Sequence, residues 1–580
     1  MLPQSDLPKP PLPGRRQERG RGMSSSALAQ HTGATAGGVL LTLAGGQFLM
    51  TLDSSVMNVA IATVAADVGT TITGIQMAIT LYTLVMAMLM VAGGKIGSMI
   101  GRRRAFAIGC VVYGVGSLTT ALAPNLPVLI IGWSVLEGVG AALILPAIVA
   151  LVAGNFPPAG RPRAYGLVMG AGAIAVAVGP LIGGIATTYF SWRWVFVGEV
   201  LVVVGILALA RRMQDTPPEA RVRFDVLGAV LAAAGLGAAV FGVLRSAEWG
   251  WVMPKPGAPS LLGLSPTVWF VLAGLLVTWV FLERESRLEA RGGEPLVKPS
   301  LFGNRQMTGG LLMFFVLYLV QAGLFFTIPL FLSVALGLSA LETGIRILPL
   351  SITLLAAAVG IPRFFPQASP RRVARLGLLA MFGGVAVLLA AVDPTADARI
   401  VTVPLLLAGL GIGALASQLG AVTVSAVPDE LSAEVGGLQN TATNLGAAIG
   451  TALTGSLLIT ALTTSFVQGV QQNPAIPEQA KSQASGKLAA GVPFLSDAAL
   501  ETALVQADTA PDVTQAAVAV NSQARVDGLR SALTVVALIA LAGLFVARRL
   551  PDHAQRSAAD GAPIANGPPP RPGEDSTRGG

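Results

Sequence analysis

Three carboxylic acids stand alone in long apolar stretches of this chain: Asp53, Glu137 and Glu199. Each stretch is long enough to cross a lipid bilayer as a helix, which takes about 20 mostly apolar residues. A charged side chain near the bilayer centre costs at least ~2.5–3.5 kcal/mol on insertion scales, so it is rare there and usually belongs to a transport pathway. These acids are therefore the first candidates for exchanging protons or attracting a cation.

The composition places these acids in a membrane protein with many spans. The 580-residue chain is 53% hydrophobic and 12% charged, whereas a soluble domain averages about 25% charged residues. Its mean hydropathy is +0.69. We therefore predict an all-α membrane protein with fourteen transmembrane helices. Their predicted bounds are 38–61, 74–96, 104–123, 127–153, 164–187, 193–212, 226–245, 267–283, 308–336, 343–363, 373–392, 400–424, 435–464 and 530–549.

The basic residues predict the orientation of the chain. With both termini in the cytoplasm, 29 of the 38 Lys and Arg residues fall on the cytoplasmic side and nine on the other, as the positive-inside rule requires. The 94–104 loop is then cytoplasmic, and the acidic 465–529 loop is external. We expect a multi-pass plasma membrane protein. Its pI near 10 follows from basic cytoplasmic loops and requires no nucleic-acid partner.

Histidine and cysteine offer little chemistry within the spans. The two histidines, His31 and His553, lie in the terminal segments, and Cys110 is the single cysteine. We therefore expect no metal site and no cofactor, and carboxylates remain as the groups that can carry protons. The sequence also lacks a nucleotide-binding loop and a hydrolytic constellation, so we expect neither an enzyme nor an ATP-driven pump.

The chain divides into two similar halves. Gly-rich segments recur in the fourth and twelfth spans and in the fifth and thirteenth, and duplicated halves with a binding site at their interface are usual in secondary transporters. In the 465–529 loop, residues 498–522 can form short amphipathic helices, or the loop is a simple spacer. We predict a disordered tail, a six-helix bundle, two extra helices with linkers, a second six-helix bundle and a second disordered tail, at 1–37, 38–212, 213–307, 308–549 and 550–580.

Four motifs resemble those of the major facilitator superfamily and, within it, of the fourteen-helix drug:proton antiporters. The loop between spans 2 and 3 reads GKIGSMIGRRR from Gly94 onwards. The others are LDSSVMNVA in span 1, GPLIGG in span 5 and WRWVF at the start of span 6. Such families export lipophilic, often cationic, compounds in exchange for protons. The resemblance covers about residues 40–550.

The resemblance implies roles for two groups of motif residues. The loop residues either latch the cytoplasmic side closed or only fix the topology; they are Gly94, Gly101, Arg102 and Arg103. The span 5 residues either form a conformational bend or serve ordinary helix packing, since glycines remove side chains and proline removes a backbone donor. These are Gly179, Pro180, Gly183 and Gly184.

The sequence departs from this family at four positions. The family's loop normally carries an acid where Ser98 stands. Its fourth helix normally carries Arg at the position of Trp133 and Gln at that of Glu137, and its sixth helix carries Asn at that of Glu199. The first half is therefore more anionic than in relatives, and we expect a different arrangement of proton sites.

The candidate cavity combines the acids with uncharged polar groups. Helices 1 and 4 line the central cavity of the family and helix 6 is peripheral, so we expect Asp53 and Glu137 to handle protons ahead of Glu199. Each acid can instead be a structural group bonded to nearby hydroxyl or backbone groups. Trp133 and Asn58 complete the first half of the site. Helix–helix hydrogen bonds are an equal alternative for the candidates in the second half, which are Gln321, Gln418, Asn440 and Asn444.

These observations predict a proton-coupled secondary exporter of lipophilic, cationic compounds that works by alternating access. Its partners are a small lipophilic substrate, protons and membrane lipids, and we expect a monomer. Two alternatives remain open. One is a dedicated exporter of an endogenous lipid or secondary metabolite, and the other is a non-transporting receptor or lipid scaffold with a transporter fold.

Overall fold

The protein is a bundle of membrane-spanning helices. The computed structural model describes residues 25–156, 161–215, 224–255, 257–393, 397–427, 431–479, 481 and 494–552. Within them, fourteen helices are long and apolar enough to cross a membrane, which confirms the predicted fold class. They are α1 (Gly37–Asp67), α2 (Ile72–Ile100), α3 (Arg102–Ala121), α4 (Leu126–Asn155), α5 (Ala164–Tyr189), α6 (Arg193–Ala210), α7 (Val226–Trp249), α8 (Pro266–Ala290), α9 (Arg305–Ala335), α10 (Ala340–Phe364), α11 (Pro370–Ala391), α12 (Ala398–Val424), α13 (Glu434–Gln472) and α14 (Pro511–Arg549).

Polar caps set several helix starts. The Thr71 hydroxyl accepts the Gly74 N–H at 3.2 Å before α2, and Ser339 and Glu342 form a reciprocal capping box at the start of α10. Such caps satisfy backbone donors that have no partner within the helix. These two spans therefore begin directly after a short polar turn.

The helical bundle has two ends, one on each side of the membrane. Because the number of spans is even, the start of α1 and the end of α14 lie on the same side, which we call the terminal side. The opposite side, where α1 ends at Asp67 and α5 ends at Tyr189, is the far side. We call α1–α6 the first half and α9–α14 the second half.

The two halves meet closely near the far side. There α5 packs on α10, and α2 packs on α13. A Cβ atom on Gly344 of α10 would lie 2.3 Å from the Pro180 carbonyl oxygen of α5, so only glycine permits this approach. Gln76 of α2 donates to the Thr451 carbonyl oxygen of α13 at 3.2 Å. The far side is thus closed by direct contact between the halves.

The two extra helices form a hairpin against the seam between the halves. Close contact of α7 with α8 depends on Gly235 and Gly274, where added Cβ atoms would meet the facing helix at 2.5 Å in both cases. The Ser246 hydroxyl of α7 lies 2.5 Å from the Ser456 hydroxyl of α13. The hairpin therefore contacts the second half while α7 also packs on α2.

Three predicted segment boundaries are wrong. The helix that contains α1 begins at Ser25, so 25–37 is helical rather than disordered; residues 1–24 and 553–580 of the predicted tails lie outside the described residues. The 465–529 segment is not one loop, because α13 continues to Gln472 and α14 begins at Pro511. Between them stands a short helix, Asp497–Gln506, within the region expected to be amphipathic.

Packing between the extended ends of α13 and α14 explains this difference. Ser465 donates to the Asp527 carboxylate at 2.6 Å, and Gly469 faces Val520 so closely that a Cβ would lie 2.6 Å away. Polar composition alone predicts a loop here, but the paired helices satisfy their backbone groups beyond the apolar region and therefore stay helical.

Candidate functional site

The three predicted acids lie together inside the first half, although they come from three helices. Asp53 is on α1, Glu137 on α4 and Glu199 on α6, and one carboxylate oxygen of each lies within 4.8 Å of the others. Asp53 and Glu137 are fully buried, and Glu199 is 2% exposed. We call Asp53, Glu137 and Glu199 the carboxylate triad.

Trp133 holds the Asp53 carboxylate. The indole Nε1–H donates to both carboxylate oxygens of Asp53, at 2.9 Å each. Because the indole can only donate, Asp53 accepts at both oxygens, which is the bonding of an ionised carboxylate. The indole also stacks on the Tyr82 ring, with the centroids 5.1 Å apart and the planes at 11°. Asp53 is therefore tied to an aromatic pair.

A π-helical segment of α4, Ile130–Glu137, carries both Trp133 and Glu137. Such wide turns are rare and occur frequently at functional sites. Gly116 of α3 provides the space for the glutamate, because a Cβ there would lie 2.6 Å from Glu137 Cγ. Thr120 Oγ1 lies 3.0 Å from Glu137 Oε1, whereas Oε2 has no hydrogen-bond partner among the described residues.

Glu199 belongs to the same cluster, although the sequence ranked it below the other two acids as a candidate for proton handling. Ser117 and Tyr113 of α3 donate to Glu199 Oε2 at 2.8 and 3.2 Å. Its Oε1 has no partner in the described part of the chain. The peripheral position of helix 6 suggested a distant side chain, but α6 packs on α3, and this contact brings Glu199 inward.

Among the described residues, the triad has no cationic partner. The ion pairs of the described residues all involve other acids. Two ionised carboxylates 4.8 Å apart repel each other by about 3.5 kcal/mol at an effective dielectric constant of ~20. The cluster therefore lowers its energy by taking up protons or a hard cation, which oxygen ligands prefer. It can store and exchange positive charge inside the first half.

A central cavity of about 210 Å³ lies between the two halves. Each described side chain that lines it is uncharged. Amide groups and aromatic rings supply much of the wall; they are Gln47, Asn58, Gln321, Asn440 and Asn444, and Tyr82, Trp133, Tyr318 and Phe325. The wall thus offers hydrogen-bond donors, acceptors and flat apolar surfaces without fixed charge.

The cavity sorts the predicted site residues into two groups. Among them, Asn58, Trp133, Gln321, Asn440 and Asn444 line the cavity. The Gln418 amide does not; it donates to the Ser417 hydroxyl at 3.3 Å instead. Nor do the three acids of the triad, which are 0–2% exposed. In this arrangement the three acids therefore lie behind the cavity wall, and their part in proton handling stays a prediction.

Trp133 forms the boundary between the triad and the cavity. It lines the cavity and donates to Asp53 on its other side. Sequence comparison singled out Trp133 only because it replaces an expected Arg. Gln47 and Tyr318 also line the cavity but were not predicted from the sequence. Gln47 lies six residues before Asp53 in the same span, a position that could have indicated it.

The predicted latch loop is fixed within the first half. Arg102 donates from Nη1 to the Gly94 carbonyl oxygen at 2.7 Å. Ser98, which stands where an acid was expected, donates to the Lys95 carbonyl oxygen at 2.7 Å. The loop is therefore closed by a bond from its own arginine to its first glycine.

An acid from another segment also reaches this loop. Asp215, which follows α6, accepts the Arg103 backbone N–H at 2.9 Å. Gly101 has a φ of +99°, and a Cβ there would lie 2.9 Å from Asp215 Oδ2. The glycine thus admits the carboxylate at the start of α3, where an acid is favourable to the helix dipole. The sequence analysis missed Asp215 because it is remote along the chain.

The span 5 motif is a packing surface for two helices. Added Cβ atoms on Gly179 and Gly183 would meet α1 at Ser55 and Val56, at 2.4 and 3.0 Å. On Gly184 a Cβ would meet the Ala340 carbonyl oxygen of α10 at 2.8 Å. Pro180 lies inside the helix. The motif therefore joins α5 to α1 within the first half and to α10 of the second half.

Comparison with known proteins places the chain among transporters. The model of the Major Facilitator Superfamily matches residues 43–227 and 226–451. The chain is 29% identical to the tetracenomycin C resistance and export protein of Streptomyces glaucescens, over 72% of this chain and 75% of the relative. It is 32% identical to the puromycin resistance protein of Streptomyces alboniger, over 71% of this chain and 80% of the relative.

Solved structures share the fold. A bacterial homologue of the human lysosomal transporter Spinster, in an inward-facing and unoccupied conformation, has a TM-score of 0.56 at 14% identity and covers 89% of this chain and 98% of its own. A peptide transporter in complex with sulfate has a TM-score of 0.54 at 15% identity and covers 88% and 96%.

Proposed function

Because this chain belongs to the Major Facilitator Superfamily, we propose that it is a proton-driven exporter of small lipophilic compounds that works by alternating access. It is a transporter rather than an enzyme, and its relatives include antibiotic export and resistance proteins. The observation that carries the proposal is the bond from Trp133 to Asp53. It connects a buried acid with no cationic partner to the wall of an uncharged cavity.

The coupling follows from what a proton does to that bond. When Asp53 takes up a proton, it loses its negative charge, and the protonated oxygen becomes a donor and a poorer acceptor for the Trp133 N–H. The indole is then held less strongly and can move against Tyr82. Because both rings line the cavity, protonation changes the shape of the substrate site.

We propose that the terminal side faces the cytoplasm of a plasma membrane. Most Lys and Arg residues then lie inside, in agreement with the positive-inside rule. The contacts between α5 and α10 then close the external side. Opening of these contacts would admit protons from outside, and closure would allow their release to the cytoplasm.

The cavity wall supports an aromatic substrate with several hydrogen-bonding groups. Amides such as Gln321 and Asn440 offer both donors and acceptors, and Tyr318 and Phe325 offer flat surfaces. The sequence favoured a cationic substrate on the expectation that Glu137 faces the cavity. Since the side chains of the cavity wall carry no charge, we propose that the substrate need not be positively charged. The triad lies behind Trp133, so it would attract a cationic substrate only across that ring.

Export of one endogenous metabolite is the second candidate. Relatives named for tetracenomycin and for actinorhodin are associated with single compounds, from Streptomyces glaucescens and Streptomyces coelicolor. A small cavity with many directional amide groups suits one shape better than many. A metabolite comparison between cells with and without the gene would identify such a compound.

Everted membrane vesicles test the main proposal. Ethidium serves as a cationic aromatic probe and N-phenyl-1-naphthylamine as an uncharged one. We expect pH-driven uptake of the uncharged probe, and we expect Trp133→Phe to reduce it about tenfold or more through loss of the N–H donor to Asp53, while probe binding changes less because an aromatic ring remains in the cavity wall. Uptake that survives collapse of the pH gradient by nigericin would contradict proton coupling.

A further inference from the structure

The triad contains more acid than one exchanging proton requires. Its members divide according to their hydrogen bonds. Asp53 accepts at both oxygens, whereas Glu137 and Glu199 each keep one buried oxygen that has no partner among the described residues. The three acids are therefore not equivalent in their hydrogen bonding.

We propose that Glu137 and Glu199 form a neutral carboxylic acid pair that keeps its two protons throughout the cycle, while Asp53 alone exchanges one proton per substrate. The inference rests on the proposed proton coupling and divides that same site into an exchanging acid and two positioning acids.

The bonds of Glu199 locate its proton. Ser117 and Tyr113 both donate to Oε2, so this oxygen is an acceptor and the proton belongs on the other. Oε1 is buried and has no partner in the described part of the chain, so it is the oxygen that can carry the O–H. A protonated carboxyl group has one such O–H donor.

The surroundings of Glu137 lead to the same result. The Thr120 hydroxyl has one proton and donates it to the Gly116 carbonyl oxygen at 2.9 Å. This hydroxyl also lies within donating distance of Glu137 Oε1, at 3.0 Å, and with one proton it can satisfy only one of these two acceptors at a time. Glu137 Oε1 is therefore an acceptor with at most a shared donor. The proton of a neutral Glu137 then belongs on Oε2, which has no hydrogen-bond partner among the described residues.

The groups that face the triad add no compensating charge. Tyr82 of α2 and Tyr113 of α3 are the other titratable side chains that interact with it. Both are neutral phenols over the physiological range. The described residues therefore provide no positive charge to balance the triad. Because the three carboxyl groups lie within 4.8 Å of one another, ionisation of each further carboxyl group is harder than that of the one before.

A ratio of one proton per transport cycle follows, because successive ionisations of the triad become harder. In the closed far-side arrangement, Asp53 is ionised and the triad holds two protons. Uptake of a third proton neutralises Asp53, and its release returns the triad to the starting state. Loss of a second proton would leave two adjacent carboxylates in a buried site, which the repulsion opposes.

Two measurements on the purified full chain test the inference. The first is the proton-to-substrate ratio in proteoliposomes with N-phenyl-1-naphthylamine, from the pH gradient that balances a known substrate gradient. We expect one proton in wild type, and still one in Glu137→Gln, Glu199→Gln and the double variant, although transport becomes slower. A ratio of two in wild type, or a lower ratio in either variant, would overturn the proposal.

The second measurement is infrared spectroscopy of the carboxylic acid C=O stretch, which is independent of transport. We expect two neutral-acid bands in wild type at neutral pH and the loss of one band in each Gln variant. Bands that emerge only on strong acidification, or that disappear on addition of Na⁺ at fixed pH, would overturn the neutral pair. If wild type shows no pH-driven transport, the proposed function fails, and these bands still decide whether the pair is neutral.

Discussion

The two halves of the molecule treat buried charge in opposite ways. The first half buries three carboxylates, and no described residue pairs with them as a cation. The second half buries Arg525, which is 1% exposed but pairs with Asp497 at 2.5 Å and donates to the Leu495 carbonyl oxygen at 2.9 Å. A paired buried charge holds a structure in place, whereas an unpaired acid is available to titrate.

The location of each group supports this contrast. Arg525 joins α14 to the segment before the far-side helix Asp497–Gln506, away from the cavity. Asp53 lies directly behind Trp133, a residue of the cavity wall. Loss of the Asp53 carboxylate should therefore change transport, whereas loss of the Arg525–Asp497 pair should lower the free energy of unfolding.

The largest expected effect is that of Asp53→Asn. An amide keeps the shape and can still accept the Trp133 N–H at its oxygen, but it cannot titrate. We expect pH-driven transport to fall at least about 100-fold, with thermal stability unchanged or higher because a buried charge is gone. The measurement pairs vesicle uptake with a thermal melt of the purified protein.

Glu501→Gln is the matched control, because Glu501 is an exposed carboxylate on the far-side helix. It should transport like wild type. If Asp53→Asn also transports normally, Asp53 is a structural group and the contrast between the halves disappears.

Asp497→Asn should have the reverse outcome. The change leaves buried Arg525 without its counter-charge, so we expect a loss of about 2 kcal/mol in the free energy of unfolding, on the scale of hydrogen bonds to charged groups. Transport per folded molecule and its pH dependence should be retained. Asp508→Asn, at an exposed position, controls for charge. A change in the proton-to-substrate ratio would show that the paired charge also takes part in coupling.

A smaller effect is expected from Gly344→Ala, which acts on the contact between the halves. The added methyl group would meet the Pro180 carbonyl oxygen at 2.3 Å, and such overpacking costs about 1–3 kcal/mol. This cost destabilises only the arrangement in which the far side is closed, so the population of the open arrangement should rise several-fold. Labelling of Ser351→Cys in a Cys110→Ser background measures this opening, because Ser351 is 1% exposed in the closed arrangement and contacts the Val176 carbonyl oxygen of α5.

Gly383→Ala is the control for this experiment, since a Cβ at Gly383 meets nothing within 4 Å. Equal labelling rates in the Gly344 and Gly383 variants would show that the α5–α10 contact does not govern opening.

Hydropathy predicted the number and order of the spans because insertion into lipid depends mainly on local composition. The same composition did not predict the helical ends of α13 and α14, which depend on contact with each other through pairs such as Ser465 and Asp527. Local composition indicates which segments prefer lipid to water. It does not indicate which distant segments contact each other beyond the membrane, and those contacts determine where α13 ends and α14 begins.

The site was predictable in type but not in arrangement. Isolated acids in apolar spans indicated Asp53 and Glu137, since burial of a lone charge is costly. Their separation from the cavity by Trp133, and the contact of Glu199 with α3, depend on helix rotation and on glycines such as Gly116. Asp215 was missed for the same reason, because its partner Gly101 is far away in sequence.

Substrate-induced proton movement in proteoliposomes tests the central claim most directly. Vesicles with an internal pH dye receive a gradient of N-phenyl-1-naphthylamine, with the membrane potential clamped. The account predicts proton movement against the substrate flow in wild type. It predicts none in Asp53→Asn, although that variant still exchanges labelled for unlabelled substrate. Proton movement of wild-type size in Asp53→Asn would contradict the claim that the buried, unpaired acid of the first half couples transport to protons.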